Sequence, residues 1–152
     1  MSLFNKRKTE NYMVEKNVVS IWFGNFESED MLIKYTTGTY TDDGDYIVSE
    51  FCKDFFEGVE YEPYEEEFFE CYTVEEKIND ICSLLQGCSY DESVIKSVSD
   101  LIGRNMDEEY NAVILAFDFK VNKVPAKMSS EISSTENMEV KFIASVSYEK
   151  DL

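Results

Sequence analysis

Ala112-Val113-Ile114-Leu115-Ala116-Phe117 is a nearly unbroken apolar run, and it constrains the fold of this 152-residue chain more than any other stretch. Such a run predicts a central strand buried on both faces. Val140, Phe142, Ala144, Val146 and Tyr148 alternate with more polar residues, the pattern of a strand wet on one side. Near the start, Val18-Val19-Ser20-Ile21-Trp22-Phe23 is β-branched and aromatic and is ended by Gly24-Asn25, so it too reads as a strand.

Helices are expected between these strands. Ser28 stands at an N-cap, followed by Glu29 and Asp30 in a first turn and by Met31, Leu32 and Tyr35 as an apolar face. Ser49 caps a second short helix through Phe51, Cys52, Phe55 and Phe56, stopped near Gly58. Thr73 and Glu76 have capping-box spacing, with Val74, Ile78, Ile81, Cys82 and Leu85 on one helical face and Gly87 as the stop. Ser89 and Glu92 repeat that spacing, and Val94, Val98, Leu101 and Ile102 continue it to Gly103. Two antiparallel helices are therefore predicted over 73–103. Asp42-Asp43-Gly44-Asp45 signals a turn between strand pieces, Phe68–Tyr72 a short strand, and the serine-rich residues 122–138 a mobile loop. Residues 1–16 read as a frayed terminus, with a cloning scar at the very start, and 17–149 as one domain. The expected class is α+β, a single layer of helices packed on a mixed or antiparallel sheet.

The charge narrows the function. The chain holds 32 acids against 14 bases, net −18, while 43% hydrophobic and 14% aromatic residues argue for a folded core. Such a field repels nucleic acid and anionic membrane and draws in a basic protein. Histidine is absent, which removes the commonest general base and zinc ligand. Cys52, Cys71, Cys82 and Cys88 form no C-x-x-C pair, and with no secretory signal ahead of them they read as reduced thiols in a cytoplasmic protein. No apolar run approaches the roughly 18 residues of a membrane span.

Motifs for chemistry are weak. Ahead of Gly44 the alternate positions are Thr39, Thr41 and Asp43, with Glu50 six residues on, so a calcium loop would have one acid of three. A glycosidase-type pair can be drawn among Glu65, Glu66, Glu67 and Glu70, as in any acidic protein. Phosphate-cradling glycine motifs are missing, and Cys52 and Cys71 have no histidine to activate them. We expect no catalytic residue, no metal and no cofactor. A carboxylate-based metal enzyme and an acidic nucleic-acid mimic that binds a DNA-binding protein remain the alternatives.

Where the charge sits is more telling. Between Asp42 and Glu76 fourteen acids face one base, Lys53, a net of −13 in 35 residues against −5 for the rest. Tyr46, Phe51, Phe55, Phe56, Tyr61, Tyr64, Phe68, Phe69 and Tyr72 are interleaved with them. Rings with carboxylates to pair with Lys and Arg make a hot-spot surface; on the other reading, the rings point into the core while the acids stay wet. The expected partner-binding residues are Asp42, Asp43, Asp45, Glu60, Tyr61, Glu62, Tyr64, Glu65, Glu66 and Glu67.

"VSIWFGNFES" (Val19–Ser28), leading into Leu32 and Tyr35, resembles the opening of the immunity protein 22 family of bacterial polymorphic-toxin systems. "SEFCKDF" (Ser49–Phe55), Tyr64 followed by acids and Phe68, "GCSYDESV" (Gly87–Val94) and "AVILAFDF" (Ala112–Phe119) continue the likeness in order, over roughly 17–148. Glu65 stands where that pattern has an aspartate after its tyrosine. The resemblance implies a non-catalytic cytoplasmic protein that binds and blocks a toxin domain; the charge adds the expectation of a basic surface on that toxin, with the substrate groove of a nuclease as the leading candidate. The resemblance also singles out Trp22, Gly24 and Phe26 as the opening motif, and apolar neighbours favour a core role for Trp22 and Phe26.

Overall fold

The computed structural model describes residues 11–124 and 138–150. Its elements run β1 (Tyr12–Asn25), α1 (Glu29–Thr36), β2 (Thr39–Tyr40), β3 (Tyr46–Ile47), α2 (Glu50–Phe55), a 3-10 turn (Glu66–Phe68), β4 (Phe69–Asp80), α3 (Ile81–Leu85), α4 (Asp91–Ile102), β5 (Asn105–Val121) and β6 (Glu139–Ser147). The main sheet has the order β4-β5-β1-β6 with every neighbouring pair antiparallel, and β2 and β3 form a separate hairpin. The expected α+β class with an antiparallel sheet is what the chain adopts.

Side-chain alternation explains the layering. Along β5, Val113, Leu115 and Phe117 point to one face and Ala112, Ile114 and Ala116 to the other, and all six are buried. The first face carries α3 and α4 through Ile81, Leu84, Leu85, Val94 and Val98. The second carries α1 and α2 through Leu32, Tyr35, Phe51, Cys52 and Phe55. The helices thus cover both faces rather than forming the single layer expected. A strand apolar on both sides needs cover on both.

Trp22, Gly24 and Phe26 share the second face. Trp22 is fully buried, with its ring edge-to-face against Phe51 at 4.9 Å and Phe142 at 5.4 Å. A Cβ on Gly24 would stand 2.5 Å from the Glu139 carbonyl oxygen and 3.2 Å from the Phe26 ring. Only glycine lets β6 close onto β1 there with Phe26 folded over the gap. Trp22 and Phe26 are core, as expected.

Local signals held where side chains cap helices. The Ser28 hydroxyl accepts from the Met31 N–H at 3.2 Å, and that of Ser49 from the Cys52 N–H at 3.1 Å. The helix expected from Thr73 is wrong. Phe69–Thr73 pair with Ala116–Ala112 as strand, Ile78 pairs with Tyr110, and only Ile81–Leu85 are helical, capped by the Asp80 carboxylate at 2.8 Å from the Ser83 N–H. Tyr72 and Val74 reach the first face at period two, and an uncovered β5 edge rewards pairing more than a five-residue apolar stripe rewards a helix. Ser89 is likewise not a cap: α4 starts after Tyr90, which is left-handed (φ 55°), and Gly87 N–H donates to the Asp91 carboxylate at 2.8 Å.

β1 begins at Tyr12, ahead of the strand expected from Val18, so Tyr12–Lys16 belong to the sheet instead of a frayed terminus. The chain passes a paired irregularity here, with Asn17 (φ 65°) and Asp118 (φ 57°) both left-handed. Asp118 is buried, and its carboxylate accepts from Asn17 N–H (2.9 Å), Tyr148 O–H (2.7 Å) and the Lys150 ammonium (2.9 Å). Most of the loop expected over 122–138, and the first ten residues of the terminus, lie outside the described residues.

Candidate partner-binding surface

The acidic segment folds as the outer layer of the second face. The β2–β3 turn closes through Thr41 N–H to the Asp45 carbonyl (2.9 Å), Gly44 N–H to the Thr41 carbonyl (3.0 Å) and Asp45 N–H to the Thr41 hydroxyl (3.0 Å). Gly44 supplies the positive φ of 89°. Asp42, Asp43 and Asp45 are all exposed at its tip.

Tyr46 joins this hairpin to the next segment. Its ring stacks on Tyr61 at 6.1 Å and 10°, packs against Tyr40 at 5.2 Å, and its hydroxyl donates to the Glu62 carboxylate. Burial and then the Glu62 carboxylate push the Tyr46 phenol well above its ordinary range, so it stays a donor. The ring lies directly on Gly38, where a Cβ would overlap its hydroxyl end. Tyr40 and Tyr61 are 73% and 69% exposed, an unusual outlay of ring surface unless it is to be covered.

Beneath them the rings turn inward. Tyr64 is 6% exposed, its hydroxyl 3.5 Å from the Cys52 sulfur and its ring stacked on Phe69 at 4.6 Å and 15°. Its ring is packed into the core rather than displayed like that of Tyr61, although it also lines a cavity with Glu62 and Glu66. Phe51, Phe55 and Phe56 are buried as well. Rings in and acids out is the geometry of most of the segment, because a layer lying on a sheet has one dry side.

Glu65, Glu66 and Glu67 are exposed around the 3-10 turn, and Glu60 is exposed beside Tyr61. Tyr46, not among the ten expected contact residues, ties the Asp42–Asp45 hairpin to Tyr61 and Glu62, and a cavity joins Glu62 to Glu66. That cavity, of about 210 Å³, opens between the end of α1, the hairpin and the start of β4, with Ile33, Tyr64, Phe69 and Cys71 among its lining. Sequence reasoning missed Tyr40, which lies just outside the counted window, and Gly38, whose only signal is the want of a side chain.

The other candidate chemistry is not assembled. Glu70 is tied to the Ser89 backbone N–H at 3.2 Å and to the Ser89 hydroxyl. Burial raises the pKa of the Cys52 and Cys71 thiols and pushes Cys88 up to about 12, the opposite of what a nucleophile needs. Among the described residues no group of three or more Cys, Asp or Glu could hold a metal ion, and no helix is long and apolar enough to cross a membrane.

Compared with known protein families, residues 19–149 match the model of the family described as Immunity protein 22. Comparison with curated proteins and comparison with solved structures find no match.

Proposed function

The chain belongs to the immunity protein 22 family, and from that premise we propose that it neutralises a cognate toxin by laying its acidic outer layer over a basic surface of the toxin. Membership gives a toxin-immunity role and a toxin as partner. The mode of binding is our reading. The observation that carries it is the exposure of Asp42, Asp43, Asp45, Glu60, Glu65, Glu66 and Glu67 around two nearly bare tyrosines, Tyr40 and Tyr61, in the most acidic part of the chain. Tyrosine supplies rigid contact area and carboxylates supply charge complementarity.

The substrate groove of a nuclease is the fitting target, because a groove that holds phosphates is necessarily positive. The inhibitor then works by occlusion in the cytoplasm and needs no catalysis. Steering of this type carries association toward about 10⁸ M⁻¹s⁻¹ at low salt. Pull-down with the product of the adjacent gene, followed by association rates at two salt concentrations, tests it. A complex whose association slows as salt rises supports the proposal; rates indifferent to salt would remove its electrostatic basis.

A further inference from the structure

We propose that the cavity bounded by Glu62 and Glu66 is a socket for a single arginine side chain of the toxin. This rests on the toxin-binding reading above and makes it specific. At about 210 Å³ the cavity falls short of the roughly 300–1,000 Å³ of small-molecule sites. A protruding side chain suits that size better than a metabolite.

Its chemistry is divided. Ile33, Phe69, Tyr64 and Cys71 supply apolar lining, with Tyr64 and Phe69 held parallel as a stacked pair. Glu62 and Glu66 supply the carboxylates. Neither has a cationic partner among the described residues. One oxygen of Glu62 accepts from Tyr46, which fixes the carboxylate and leaves the other oxygen to a ligand.

A planar cation with an apolar stem matches this arrangement. Guanidinium stacks on aromatic surfaces, is weakly hydrated and binds carboxylates through paired N–H groups. A lysine ammonium, compact and strongly hydrated, uses the rings and the two separated carboxylates less well. An anion is repelled, and a neutral apolar group would leave the charge of both carboxylates uncompensated.

The experiment titrates N-acetyl-arginine amide into the full-length protein and follows backbone resonances, with N-acetyl-lysine amide as comparison. Saturable shifts centred on Thr36–Gly38 and Cys71, tighter for the arginine probe, are expected. The paired change Glu62→Gln and Glu66→Gln should weaken them about tenfold or more, while Glu92→Gln with Asp107→Asn, off the proposed surface, changes them little. Diffuse, unsaturable shifts, or equal affinity in the glutamine variant, would overturn the socket. The same variants tested against the adjacent gene product separate the two ideas. Arginine binding without toxin binding sinks the toxin-binding reading and with it the toxin as the source of the arginine, while the cavity stands as an arginine socket. Toxin binding unaffected by the glutamines, with no probe bound, sinks the socket alone.

Discussion

Two carboxylates in the partly buried layers respond to acid with opposite sign. Asp118 loses solvation on burial, but the Lys150 ammonium, the Asn17 N–H and the Tyr148 hydroxyl outweigh that and hold its pKa below the ordinary carboxylate value. Its stabilisation is therefore complete above about pH 4 and is lost as pH falls through the lowered folded-state value. Asp118→Ala leaves the Asn17 and Tyr148 donors and Lys150 without their acceptor, and should cost about 3 kcal/mol in urea denaturation at pH 7, with a smaller gap to wild type at pH 3. Asp54 behaves conversely: burial raises its pKa, even though Tyr35 O–H donates to it at 2.8 Å. Its carboxylate form is a cost to the fold at neutral pH that disappears as pH falls below the raised value. Asp54→Asn, which keeps an acceptor for Tyr35, should match or exceed wild-type stability at pH 7 by no more than about 1 kcal/mol, given its partial exposure. Trp22 adds a third test. Its indole Nε1–H is buried with no acceptor among the described residues, so Trp22→Phe should cost clearly less than the roughly 3–5 kcal/mol expected of Trp22→Ala.

Among the elements, β6 hangs on glycine. A methyl at position 24 meets the Glu139 carbonyl at 2.5 Å, backbone that cannot swing aside. Gly24→Ala should cost about 1–3 kcal/mol and speed hydrogen exchange along β6 more than along β5. A methyl at Gly38 instead meets a side chain, the Tyr46 ring, which can move off Tyr61 and Glu62. Gly38→Ala should leave global stability within about 1 kcal/mol while weakening the toxin complex. These cases also show which elements were legible in the sequence. The two capped helices, the Gly44 turn and the central strand were readable because their determinants are local: a serine hydroxyl, a positive φ, an apolar run. β4 was readable only at its start, where Phe68–Tyr72 reads as a strand; beyond it Val74, Ile78 and Ile81 fit a helical stripe equally well, and the open edge of β5, far along the chain, decides between them. The division of helices between two faces is non-local in the same way.

For the molecule as a whole, the acidic middle turns most of its rings inward and most of its acids outward. Phe51, Phe55, Phe56 and Tyr64 build the core against Trp22 and Phe119, and the carboxylates between them form the outer skin. Sequence could place the charge in this segment, but not tell Tyr61 from Tyr64, three residues apart and on opposite sides of the layer. The field this skin creates is the basis of the function proposed, and net charge alone could imitate it. Two variants with equal loss of charge separate the effects: Asp42→Asn, Asp43→Asn, Asp45→Asn and Glu60→Gln on the proposed surface, against Glu92→Gln, Asp107→Asn, Glu109→Gln and Glu149→Gln elsewhere. The decisive measurement is the affinity and association rate of each for the cognate toxin domain, at two ionic strengths. The first variant should bind about a hundredfold more weakly and lose most of its salt dependence, the second within about threefold of wild type. Equal losses from both, or none from the first, would contradict a localised acidic grip.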